Sequence, residues 1–153
     1  MHNFAFRQKI QPLLFFCFLL AQLFTALACD QTKGGGSGGL DPEDLPYLLE
    51  GVLCADISPG QNPVGIVDNF PADSRVYLWL HWANIEGEHI IEIFWDDPEG
   101  VQQLEERLDL STEEDRFISW FFLETTANAK LGEWSVSVFL DGQFVRSYIF
   151  EVF

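Results

Sequence analysis

Outside its first 28 residues the chain carries two histidines, His81 and His89, with Glu88 beside the second. Two neutral imidazoles on neighbouring strands, joined by a carboxylate, would make a transition-metal donor set. The competing reading makes His81, between Trp79 and Trp82, an amphipathic sheet residue and lets His89 open a strand. Asp96, Asp97 and Glu99 crowd one short segment. Carboxylate oxygens suit hard divalent cations, but this spacing is not that of a calcium loop, and a solvated acidic turn is expected. Together with Glu105 and Glu106 these acids form the expected contact patch, suited to a basic protein partner or to loosely held divalent cations. Tyr77, Trp79 and Trp95, with Trp120, could form a platform for stacking sugar rings, provided that two or more are exposed and coplanar; the preferred reading places most of them in the core. The templates of catalysis lack parts: there is no Gly-x-Ser-x-Gly and no His-Glu-x-x-His, and the glycine run 34–39 lacks the Lys-Ser/Thr of a phosphate loop. Among 24 acids no glycosidase pair stands out. The expectation is a binding or scaffolding module, not an enzyme, with no cofactor and no resident metal.

These groups belong to a chain of 153 residues in which 24 Asp and Glu face 8 Lys and Arg, a formal charge of −16. A pI near 4.2 excludes a phosphate-backbone partner, because neutralising phosphates takes clustered bases. Half of the acids fall between residues 86 and 115, where Arg107 is the only base. With 48% hydrophobic and 15% aromatic residues, the chain has the makings of a packed core and not of a disordered acidic tail. The length suits one domain.

Arg7 and Lys9 are the only charges before Cys29, and both precede the apolar run of residues 13–28, LLFFCFLLAQLFTALA. A basic start, an apolar stretch and small residues at its end describe a secretory signal. The run is short for a spanning helix, so an uncleaved anchor is the lesser alternative. Ala26-Leu27-Ala28-Cys29 resembles the end of a bacterial lipoprotein signal, although Ala26 stands where that family usually has Leu. The resemblance implies a lipid such as palmitate on Cys29 and a cell-envelope location, membrane-anchored and facing periplasm or exterior. The same letters fit an A-x-A site for simple secretion, which would leave Cys29 to pair with Cys54 in a disulfide. Residues 30–39, DQTKGGGSGG, predict a flexible tether of about 17 Å r.m.s.. The expected organisation is a signal (1–28), a lipidated Cys and tether (29–39) and an acidic domain (40–153). Loss of the signal removes two bases and no acid, taking the charge from −16 to −18.

The elements that must hold the candidate residues read as strands. Residues 41–50, with Pro42 and Pro46, offer only a short helical turn. Val52 and Cys54 mark a first strand that ends before Pro59-Gly60. RVYLWLHWA, residues 75–83, places Val76, Leu78, Leu80 and Trp82 on one face and Tyr77, Trp79 and His81 on the other. Glu86-Gly87-Glu88 then predicts a turn into a partner strand over 89–96. Residues 101–110 are an edge strand or a short helix, and 116–123 a buried strand. EWSVSVFL, residues 133–140, alternates cleanly, and Asp141-Gly142 predicts a two-residue hairpin into a last strand ending at Phe153. About seven strands separated by turn signals indicate an all-β, antiparallel, immunoglobulin-like β-sandwich.

The second half also resembles an uncharacterised family of bacterial β-sandwich domains. The matching residues are Gly87, His89, Trp95 and Trp120, then the run 132–138, then Asp141-Gly142 and Phe150-Glu151-Val152. The resemblance implies a sandwich and an envelope location and carries no catalytic residues.

Overall fold

The computed structural model describes residues 44–153. The signal, Cys29 and the tether lie outside the described residues. Nine strands follow in order: β1 (Tyr47–Ile57), β2 (Pro63–Ile66), β3 (Asn69–Phe70), β4 (Arg75–Ala83), β5 (Gly87–Asp96), β6 (Gln102–Thr112), β7 (Arg116–Glu124), β8 (Gly132–Leu140) and β9 (Gln143–Val152). They form a four-stranded sheet, β2-β1-β4-β7, and a five-stranded sheet, β3-β9-β8-β5-β6. All pairings are antiparallel except the two-residue β3–β9 contact. The immunoglobulin-like sandwich is therefore present, with nine strands in place of about seven.

Period-two patterning builds the core. Successive side chains on a strand point to opposite faces, so one parity of each strand is buried. Val76, Leu78, Leu80 and Trp82 of β4 face Ile91, Ile93 and Trp95 of β5 and Trp134, Val136 and Val138 of β8 between the sheets. Each fully buried aliphatic side chain contributes on the order of 2 kcal/mol of transfer free energy. Phe150 stands at the centre of the aromatic part, 5.8 Å from Phe70, 6.0 Å from Trp95 and 6.2 Å from Trp134 between ring centroids. The buried indoles all keep a partner for their N–H. Trp79 donates to the Gln61 carbonyl (2.7 Å), Trp82 to Ser119 Oγ (3.1 Å), Trp95 to Glu106 Oε2 (3.0 Å) and Trp134 to the Lys130 carbonyl (2.8 Å).

The β8–β9 turn forms as expected. Asp141 and Gly142 sit at φ 51° and 74°, the left-handed pair that a two-residue hairpin of this twist needs. Phe153 is tied in as well: its amide donates to the Phe70 carbonyl, and its carbonyl accepts from Ala72. Gly51 fills a different need. A Cβ there would stand 2.0 Å from the Tyr148 hydroxyl oxygen, so glycine is what lets the Tyr148 ring cross between the sheets.

Three expectations are corrected and one open choice is resolved. Residues 47–50 open β1 and are not helical. Residues 102–112 take the edge-strand alternative. β7 is not a buried strand; it is the other sheet's edge, with its two parities split between core and solvent. β4 and β5 are not partners, because they lie in opposite sheets. The reason is Ile85. It is completely buried in the core, and its amide donates to the Asp115 carbonyl at 3.1 Å, so the short link after β4 carries the chain from one sheet to the other.

Candidate functional site

The outer face of the four-stranded sheet carries a concentration of exposed aromatic groups. Residues opposite one another in a ladder share a face. One row across the four strands is Ile66, Cys54, Tyr77 and Phe122, and the next is Val52, Trp79 and Trp120. Glu50, His81 and Ile118 make the row beyond. Trp120 is 41% and Phe122 39% exposed, Tyr77 is half-buried, and the Tyr77 and Phe122 ring centroids are 5.8 Å apart. Arg75 lies over this surface, its guanidinium carbon 4.6 Å from the Phe122 centroid and 5.8 Å from that of Tyr77. It donates to the Tyr77 hydroxyl at 3.0 Å and pairs with Glu124. Those two bonds, Tyr77 first, raise its pKa above the usual arginine value. The face thus combines flat apolar rings with a fixed cation, a carboxylate and a phenol.

This platform is not the one expected from Tyr77, Trp79 and Trp95. Trp95 is fully buried on the inner face of β5, and Trp79, although on the outer parity of β4, is only 5% exposed. Its indole N–H is bound by the carbonyl of Gln61, in the loop between β1 and β2. Of the candidate platform residues Tyr77 and Trp120 stay, and Phe122 and Arg75 join them. Phe122 was hidden in RFISWFFL because that run is apolar at both parities, which conceals which parity faces water.

The acidic patch is divided by the fold. Asp96, Glu99 and Glu105 remain near the β5–β6 turn. Asp97 does not join them as a solvated acid; it is 4% exposed and holds the turn together. Its Oδ1 accepts the Glu99 and Val101 amides at 2.9 and 3.0 Å, and its Oδ2 accepts Gln103 Nε2 at 2.9 Å and Lys130 Nζ at 2.5 Å. The Lys130 ammonium is the main reason its pKa lies below the usual aspartate value, with the two amides adding to it against burial. Lys130 also bonds Glu99 at 2.8 Å. Glu106 turns inward from β6, where burial raises its pKa against the opposing pull of the Trp95 indole and the Phe122 backbone. On the outer face Arg107 bonds both Asp109 and Glu92. Much of the acidity is therefore already paired within the chain.

His81 and His89 stand on different sheets, so the alternative of a metal site shared between neighbouring strands is not assembled. His81 packs beside Trp79, ring centroids 5.9 Å apart. His89 Nδ1 is 2.7 Å from Asp141 Oδ2, while Asp141 Oδ1 accepts the Ile90 amide at 2.8 Å, which fastens the β8–β9 turn to the start of β5. Among the described residues no group of three or more His, Cys, Asp or Glu is placed to hold a metal ion. No described helix is long and apolar enough to cross a membrane. Cys54 is fully buried, and that burial raises its thiol pKa. An open apolar cleft of about 370 Å³ lies where β1 and β2 meet β9, lined by Val52, Leu53, Ile66, Val67, Tyr148 and Ile149 with Asp68.

No family model matches the chain, and no curated protein matches it in sequence. Solved structures do. The crystal structure of the C-terminal domain of wzt is similar at 11% identity with a TM-score of 0.52, over 71% of this chain and 73% of that one. An immunoglobulin-like protein from Pseudomonas aeruginosa is similar at 10% identity with a TM-score of 0.47, over 71% of this chain and 97% of that one. At such identities the likeness is one of fold. The described residues form an all-β sandwich of the immunoglobulin-like kind.

Proposed function

We propose that the chain is a non-catalytic binding module of the bacterial cell envelope, held at a membrane by a lipid on Cys29 and its Gly/Ser tether, and that it binds a sugar chain on the outer face of its four-stranded sheet. The observation that carries the reading is the cluster of exposed Trp120 and Phe122 with half-buried Tyr77 on two adjacent rows of one face, with Arg75 fixed over Phe122 and Tyr77. A pyranose has an apolar face that suits a flat ring and an equatorial rim of hydroxyls that suits a guanidinium, a phenol and a carboxylate. A basic protein is the weaker ligand, because Arg107 and Lys130 already occupy several of the acids it would need.

Affinity electrophoresis through gels cast with purified envelope polysaccharides tests the ligand. Wild type should be retarded by at least one of them, and Trp120→Ala and Tyr77→Ala should each weaken retention about tenfold, or about 1.4 kcal/mol. Equal retention of all three proteins, or retardation only in a gel cast with a basic protein, overturns the sugar reading. Growth on labelled palmitate tests the anchor: label should enter wild type and be absent from Cys29→Ser. Absence from both returns Cys29 to simple secretion.

A further inference from the structure

The two sheets have open edges, and these are not equally protected. An unpaired strand presents a row of free N–H and C=O groups, and monomeric proteins usually blunt it with charge, proline or shortness. β6 is blunted by Glu105, Arg107 and Asp109 outward and by Glu106 inward. β2 has four residues, among them Pro63 and Gly65. β9 is covered at its end by β3 and carries Arg146 along its free length. β7 is the least guarded edge among the described residues: its nine residues, RFISWFFLE, contain no proline or glycine, charges stand only at the two ends, and the one guard is the Glu106 carboxylate that reaches the Phe122 amide from β6.

The direction of its free groups can be read from the ladder. The Thr125 amide donates to the Ser74 carbonyl at 2.9 Å. Hydrogen-bonded and non-bonded pairs alternate in an antiparallel ladder, so Phe117, Ser119, Phe121 and Leu123 bond β4, while Ile118, Trp120 and Phe122 turn their backbone groups to the open side. The Phe122 amide shows that parity directly, because on the open side it meets the Glu106 carboxylate of β6.

We propose that two copies of this chain pair through β7, antiparallel and about a two-fold axis at Trp120. In that register Trp120 meets the partner's Trp120 and Ile118 meets the partner's Phe122. All of these residues have the backbone parity that a bonded pair needs, and at Phe122 the partner's Ile118 carbonyl takes the amide that Glu106 holds in the single chain. The ends of the strand select the register: Arg116 comes opposite the partner's Glu124, and Glu124 opposite the partner's Arg116, so both ion pairs form at once. Among the described residues neither group is used up: Arg116 reaches only Asp115 at 4.0 Å, and Glu124 gives Arg75 one of its two oxygens. The pairing lies in the plane of the sheet, joins the two aromatic faces edge to edge and leaves them open. It holds whether or not that face binds sugar.

Sedimentation equilibrium of the full chain in a mild detergent, over a concentration series reaching about 200 µM, tests it. Wild type should sediment as a monomer–dimer equilibrium. Arg116→Glu and Glu124→Arg should each weaken the dimer at least tenfold alone, by placing like charges opposite one another. An equimolar mixture of the two variants should recover a dimer, because each end then meets its opposite sign. Circular dichroism confirms that both remain folded, and unchanged polysaccharide retention by Arg116→Glu separates this surface from the sugar face. A wild type that stays monomeric throughout overturns the proposal. A dimer indifferent to both charge reversals, or a mixture no tighter than either variant, overturns it equally.

Discussion

The contact between Gly51 and Tyr148 offers a sharp test of how the sheets are packed. An alanine Cβ at position 51 would lie 2.0 Å from the Tyr148 hydroxyl oxygen, 2.9 Å from Cζ and 3.0 Å from Leu80 Cδ2. Something must move, and the neighbours are a ring held between two sheets and a fully buried leucine. Overpacking of this kind costs about 1–3 kcal/mol, which sets the expected loss for Gly51→Ala. Tyr148→Phe should behave differently. Its hydroxyl is buried with no hydrogen-bond partner of good geometry, and burial raises its pKa although Arg146 acts against this. Removing an unsatisfied hydroxyl should leave stability unchanged or improve it by up to about 1 kcal/mol. In the double variant the nearest ring atom is Cζ at 2.9 Å, so part of the clash persists and the coupling should fall at about 0.5–1.5 kcal/mol. Urea unfolding of the four proteins, followed by tryptophan fluorescence, measures each quantity. Strict additivity would show that the two residues do not touch. A Tyr148→Phe loss larger than about 1 kcal/mol would show that the hydroxyl is bonded.

Three further outcomes follow from the charged groups. Asp97 has a folded pKa held below the usual aspartate value by the Lys130 ammonium, so its contribution is present above the ordinary aspartate range and lost as pH falls through the lower folded value. Asp97→Asn should therefore lower Tm at neutral pH and flatten the acid limb of a Tm–pH profile; an unchanged limb refutes the assignment. Glu106 is the opposite case, raised from 4.5 by burial, so its contribution is present below that pH and lost as pH rises through the folded value. Glu106→Gln should gain stability relative to wild type as pH rises above the ordinary glutamate range, and a gap that does not move with pH counts against the burial argument. Asp141→Ala removes the acceptor of the Ile90 amide and puts a residue with a Cβ but no polar group at φ 51°; a loss of about 1–2 kcal/mol is expected in thermal unfolding. Asp141→Asn should recover most of it.

The strands were readable because their chemistry is local. β4 and β8 alternate without interruption, and Asp141-Gly142 announces its own dihedral angles. Which strands pair is a different matter. A charged, glycine-containing link looks the same whether it folds a hairpin or carries the chain between layers, and only Ile85, an apolar residue among polar ones, marked the link after β4 as inward-going. The site suffered from the same blindness. Parity separates one face of a strand from the other but does not reveal a loop closing over that face, as happens at Trp79. Nor does composition distinguish an acid that solvates a turn from one that organises it: Asp97 and Asp96 are neighbours in sequence, and only Asp97 receives four hydrogen-bond donors.

Cys54 turns the domain into a recorder of its own opening. No part of its side chain meets solvent, and burial disfavours the thiolate that alkylating and oxidising reagents require. The closed sandwich is therefore silent towards thiol chemistry, while a chain that has not yet folded, or has briefly come apart, is reactive. Cys54 lies on the outer parity of β1, opposite Ile66 and Tyr77, so its labelling rate reports how often the cover over that face lifts. In an oxidising compartment the same thiol sets a deadline: that cover must form before another sulfur finds it.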